Sequence, residues 1–252
     1  MLISKRYSLS RIKMLKFLDE IEATIDTASS LYIPFELPLP EVKNLLEKAC
    51  ASQHIPSSLV ECTTSSKTGA VFFSGSSRKY LISPPSPIME KYFTYGYDAE
   101  PLRCLLKHNL RIALVLVRLG AYAISLYQGE SLITSKVGTG LVHARHKKGG
   151  SSQQRFRRHR EKQIELFLTH ICIHMREQFE AHSHTIDYIV YGGAWTTILS
   201  LRKQCSFLRQ FDNRTLPPLL TIPNPRKVVL EAAIGQVWSS IVTEWHNAED
   251  PD

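Results

Sequence analysis

Residues 111–137 read RIALVLVRLGAYAISLYQGESLITSKV, and three runs rich in Val, Ile, Leu and Tyr stand out in them: Arg111 to Leu119, Ala121 to Tyr127 and Ser131 to Val137. Gly120 and Gln128-Gly129 part the runs. Branched and aromatic side chains fit a pleated surface, and glycine supplies the backbone freedom of a tight reversal. The stretch predicts an antiparallel meander.

Downstream the apolar period lengthens. Ile164, Phe167, Ile171, Met175 and Phe179 recur at three- and four-residue steps, which puts one apolar stripe on a helix. A helix from Gln154 to Ala181 would be roughly 40 Å long at 1.5 Å per residue. A strand at Ile186 to Tyr191, the pair Gly192-Gly193, a helix from about Thr196, a short strand near Leu219 to Ile222 and a C-terminal helix from Arg226 to His246 follow. This order predicts an α/β domain, a mixed sheet with helices packed on it, over residues 106–252.

Upstream, residues 1–105 predict a small α+β domain. An amphipathic helix fits within Leu9 to Ile25, and a second starts after Pro40, whose fixed φ suits a first helical turn. Strands Ala70 to Phe73 and Arg78 to Ile82 flank the turn Ser74-Gly75-Ser76-Ser77, and Pro84, Pro85 and Pro87 then interrupt regular structure.

Composition narrows the class. With 252 residues, 43% of them hydrophobic, the chain can bury a core, and its net charge of +8 favours a polyanionic partner, nucleic acid or a membrane surface. The longest apolar stretch, Ile112 to Leu116, is closed by Arg118, so no membrane-spanning helix is expected. Charges recur every few positions in the first 25 residues, which excludes a secretory signal's apolar centre and predicts a soluble, cytoplasmic protein. Cys50, Cys62, Cys104, Cys172 and Cys205 are odd in number and scattered, and are expected reduced and mostly packed.

The charge is not spread evenly. From His143 to Lys162 there are eight Lys/Arg (Arg145, Lys147, Lys148, Arg155, Arg157, Arg158, Arg160 and Lys162) and one acid. A localised positive field implies a localised target. The centre of the run, Gly149-Gly150-Ser151-Ser152, is predicted to form a tip that orders on binding, and the arginines after it open the long helix and can grip phosphates.

Lys147-Lys148-Gly149-Gly150, followed by Arg155-Phe156 at the entry to the long helix, and later Ile189-Val190-Tyr191-Gly192-Gly193, together resemble the middle, peptidyl-tRNA-hydrolysing domain of archaeal and eukaryotic peptide release factors. The resemblance runs from about Leu110 to His246 and leaves the first hundred residues uncovered. Those factors read Gly-Gly-Gln at the tip. Here Gly150-Ser151-Ser152-Gln153 instead is similar to the Gly-x-x-Gln of the VLRF branch, release factor relatives linked to ribosome quality control. Alignment on Arg155-Phe156 sets Ser151 opposite the release factor glutamine, so Gln154 and Ser151 stand beside Gln153 as candidates.

The resemblance implies a release-factor-middle-domain-like fold and a codon-independent peptidyl-tRNA hydrolase of stalled ribosomes or large subunits. Its partners would be the large subunit, ribosomal RNA and peptidyl-tRNA, with no cofactor and no metal. A glutamine amide does not titrate, so its role is to position water, with backbone N–H groups of the tip steadying the oxyanion. Cleavage of tRNA near its 3′ end is an open variant of the same site, and a non-catalytic rescue or recycling module is the alternative. His170 and His174, one helical turn apart, have metal-ligand spacing but no third ligand beside them. Trp195, Trp238 and Trp245 can stack on bases, although Trp238 and Trp245 read first as core.

Overall fold

In a computed structural model, residues 2–24, 26–50, 55–143 and 152–246 are described. Two compact units form, one from Met1–His108 with Gly235–Asp252, the other from Asn109–Ile234.

The first unit is built on a six-stranded antiparallel sheet in the order β1-β11-β4-β3-β2-β5, with β1 Leu2–Leu9, β2 Thr27–Ile33, β3 Ala70–Gly75, β4 Arg78–Ser83, β5 Tyr92–Tyr95 and β11 Ser240–His246. Because side chains alternate across a strand, Val71 and Phe73 face one layer while Ala70 and Phe72 face the other. Helices α1 (Arg11–Thr24) and α4 (Glu100–Lys107) cover the first layer through Met14, Leu18, Leu102 and Leu106. Helices α2 (Leu39–Ala49) and α3 (Ser57–Ser65) cover the second through Val42, Leu46 and Leu59. The α1 and α2 helices and the β3–β4 hairpin lie where sequence places them.

The C-terminus does not. The helix expected from Arg226 to His246 is α7 (Lys227–Val237), and the chain then runs as β11 between β1 and β4. Trp238 and Trp245 are core, as expected, but Trp245 stands on a strand.

The second unit has a mixed sheet in the order β10-β9-β6-β7-β8. The meander is β6 (Arg111–Arg118), β7 (Ala121–Gln128) and β8 (Ser131–Thr139), and β9 (Tyr188–Gly193) lies parallel to both β6 and β10 (Thr215–Leu220). Helices α5 (Ser152–Phe179) and α6 (Trp195–Gln204) pack on one face, where Phe167, Ile171, Met175 and Phe179 meet Tyr122, Ile124 and Leu126 of β7. Each fully buried side chain of this kind contributes roughly 1.5–3 kcal/mol, which is what fixes α5 to the sheet.

Gly193 explains the glycine pair noted in the sequence. It takes φ +124, and a Cβ there would run into the Val117 carbonyl oxygen, so β9 can turn into α6 only with glycine. Gly140 has a similar role at the end of the meander, where a side chain would collide with the Phe167 ring.

The cysteine expectation is corrected in part. Cys172 of α5 and Cys205, just after α6, form a disulfide across 33 residues of sequence, while Cys50 is free and buried, Cys62 is half-buried and Cys104 exposed. Packing α6 beside α5 brings the two thiols together, a proximity that scattered spacing does not reveal.

Candidate nucleic-acid interface

Positive charge belongs to the second unit. Residues 109–234 hold 18 Lys/Arg against 8 Asp/Glu, and the rest of the chain holds 13 against 15. Of the expected tip, Arg145, Lys147, Lys148, Gly149, Gly150 and Ser151 lie outside the described residues, as does His146. Ser152 and Gln153 are the first two residues of α5, with their side chains outside the description, and Gln154 is exposed.

The first three turns of α5 carry the remaining predicted residues. From Gln154 to His159 every side chain is exposed, and the first fully buried one is Phe167. Arg155, Arg158 and Lys162 are exposed at steps of three and four, so they share one face of the helix and span roughly 10 Å of it. Arg157 is on another face, 3.6 Å from Glu161, an exposed pair of the i,i+4 kind that contributes about 0.3–0.5 kcal/mol. Phe156 is 51% exposed.

Arg160 and Gln163 do something the sequence does not announce. Arg160 Nε donates to the His143 carbonyl at 2.9 Å, and the His143 backbone N–H donates to Gln163 Oε1 at 3.2 Å. With Oε1 so engaged, Gln163 Nε2 donates to His159 Nε2 at 3.2 Å, which places the His159 proton on Nδ1. The His143 and His159 rings stack with centroids 6.3 Å apart. The basic segment is thus pinned to the helix at its root.

Lower on α5 the contacts are structural. Gln204 Nε2 donates to the Glu165 carbonyl at 2.8 Å and to Thr169 Oγ1 at 2.5 Å, beside the Cys172–Cys205 bond. His174 Nδ1 meets Glu177 Oε2 at 2.8 Å and its ring stacks on Tyr122 at 5.8 Å. Burial, with the Glu177 carboxylate adding, pushes the Tyr122 phenol up. Among the described residues no group of three His, Cys, Asp or Glu is placed to hold a metal, and no helix is long and apolar enough to cross a membrane. Trp195 is 55% exposed at the start of α6.

The peptide chain release factor subunit 1 of Aeropyrum pernix is 25% identical over 193 residues, 66% of this chain and 52% of that protein, so the chain spans about half the length of that curated relative. An archaeal translation termination factor of known structure is 17% identical, with 91% of this chain and 73% of that chain covered at a TM-score of 0.40. Pelota of Archaeoglobus fulgidus is 8% identical, with 94% and 68% covered at 0.29. Residues 110–243, more than half of the chain, match the model of the VLRF1 release factor of Actinobacteria and Chloroflexi. The chain belongs to that release factor family.

Proposed function

We propose that the protein is a codon-independent peptidyl-tRNA hydrolase that acts on stalled ribosomes or free large subunits. The observation that carries this reading is the exposed first half of α5, with Arg155, Arg158 and Lys162 along one face and, in the sequence, Gly150-Ser151-Ser152-Gln153 leading into it. A rigid helix bearing cations in register suits a groove lined by phosphates, and arginine favours planar two-point contact there. Arg145, Lys147 and Lys148 add charge on the approach.

In this account the segment enters the peptidyl-transferase centre. Gln153, with Gln154 and Ser151 as the neighbouring candidates, offers an amide or hydroxyl that holds water against the ester joining peptide to tRNA. Backbone N–H groups of the tip would steady the oxyanion that forms, and ribosomal RNA supplies the surrounding field. No titrating base is required of the chain, so the rate should depend on position more than on pH.

The test is peptide release from peptidyl-tRNA on purified large subunits, with Gln153→Ala and Gln154→Ala beside wild type and the tRNA 3′ end analysed. Loss of release in one variant, with binding kept and tRNA intact, is the expected result. Shortened tRNA would move the chemistry to the phosphodiester. Binding without any release by wild type would make the protein a non-catalytic rescue factor, a reading the serines between Gly150 and Gln153 keep in view.

A further inference from the structure

The contacts at His143 differ in kind from the rest of the α5 surface. Both hydrogen-bonding groups of one exposed backbone residue are taken by side chains from a neighbouring helix: the N–H by Gln163 and the carbonyl by Arg160. Neither contact belongs to a strand or helix ladder, and neither buries apolar area. Their effect is to fix the point, next to the third turn of α5, from which the chain leaves toward Gln153. A carbonyl and an N–H held together leave the His143 peptide planes little freedom to rotate.

We propose that Gln163 and Arg160 are positioning residues, which lock the root of the basic segment to α5 and thereby set how the segment is presented to its RNA target. The idea rests on the hydrolase reading for its kinetic consequence but not for its existence. Gln163 is the cleaner probe because Arg160 also carries charge. Its amide is oriented by two partners at once: Oε1 accepts from His143, so Nε2 must face the His159 ring. Leucine at 163 removes both bonds at similar volume. Glutamate restores the acceptor for the His143 N–H and can accept from His159 in its other tautomer.

The experiment compares wild type, Gln163→Leu, Gln163→Glu and Gln178→Leu in peptide release on large subunits, with kcat and KM separated and melting temperature recorded. Gln178 accepts from the Thr134 hydroxyl at the far end of α5, so its variant loses a helix–strand bond without touching the root. Misplacing a reacting group by an ångström can cost about a hundredfold in rate, so Gln163→Leu should lower kcat by roughly ten- to a hundredfold with KM within about twofold. Gln163→Glu should recover most of that loss, and Gln178→Leu should show none. Equal kcat in Gln163→Leu and wild type, or a glutamate variant as slow as leucine, overturns the proposal.

Should wild type bind large subunits and release nothing, the hydrolase reading fails by itself. The lock is then judged by trypsin cleavage after Lys147 and Lys148 on the subunit, slow in wild type and Gln163→Glu but several times faster in Gln163→Leu. Equal cleavage in all three overturns it.

Discussion

Along one continuous helix, α5 passes between two environments. From Ile164 to Phe179 it turns Phe167, Leu168, Ile171, Met175 and Phe179 onto the sheet, and the disulfide and Gln204 fasten its flank to α6. From Gln154 to Gln163 no side chain is fully buried, and hydrogen bonds from Arg160 and Gln163 hold the backbone of His143 against the helix. The buried half is held by apolar area, which is strong and undirected. The projecting half is held by a few directed hydrogen bonds, which add little stability but fix orientation. Such a division lets the stability of the unit and the presentation of its charged end vary independently.

Damage to each half in turn should have unequal effects. Phe167→Ala empties a site between α5, Tyr122 and Gly140 and should cost roughly 3–5 kcal/mol in denaturant unfolding of the second unit. Arg158→Ala should stay within about 0.5 kcal/mol in the same assay. Comparable losses in the two variants would remove the distinction.

Reducing the disulfide is the next largest test. The bond closes a loop of 33 residues between Cys172 and Cys205, for which chain entropy predicts about 2–4 kcal/mol. Reductant, or Cys205→Ala, should therefore lower the melting temperature and leave subunit binding intact, because both sulfurs lie beyond the projecting turns. Binding that falls in parallel with stability would show that the halves are coupled.

These contrasts follow how far the sequence was legible. The meander and the stripe on α5 could be read because each is a local period whose meaning does not depend on distant residues. The end of α7 could not. Trp238, Ile241 and Trp245 continue at three- and four-residue steps from Val229, Leu230, Ala233 and Ile234, so Arg226 to His246 reads as one amphipathic helix. The competing structure, β11, depends on partners more than 150 residues earlier in β1 and β4. The basic segment stands out in the sequence by its charge and its motif, whereas Gln163 looks there like any polar residue on a helix, and its contact with His143 shows only in the structure.

The smallest expected effect lies in the first unit, where no sequence motif points to a function. Lys79 is 2% exposed, on the layer with Cys50 and Trp245, and burial lowers its pKa, with Cys50 acting in the opposite direction. Below the folded pKa both states carry the proton and the full cost of the buried ammonium is present. As pH rises from there toward the ordinary lysine value of ~10.4, the unfolded chain binds more protons and wild type gains stability. Lys79→Met should therefore stabilise the unit at pH 7 by about 1 kcal/mol, with a smaller gain at pH 10, read from melting temperatures. A gain that grows with pH would contradict the direction of the shift.

If the exposed face of the first half of α5 meets RNA, binding to large subunits must depend on salt through its cations. For every phosphate that the protein ceases to neutralise, the slope of log affinity against log salt falls by about 0.7–0.9. The triple variant Arg155→Gln, Arg158→Gln, Lys162→Gln should bind more weakly with a slope smaller by roughly 2–3, at unchanged melting temperature. An unaltered slope with unaltered affinity would mean that the ribosome is met by some other face.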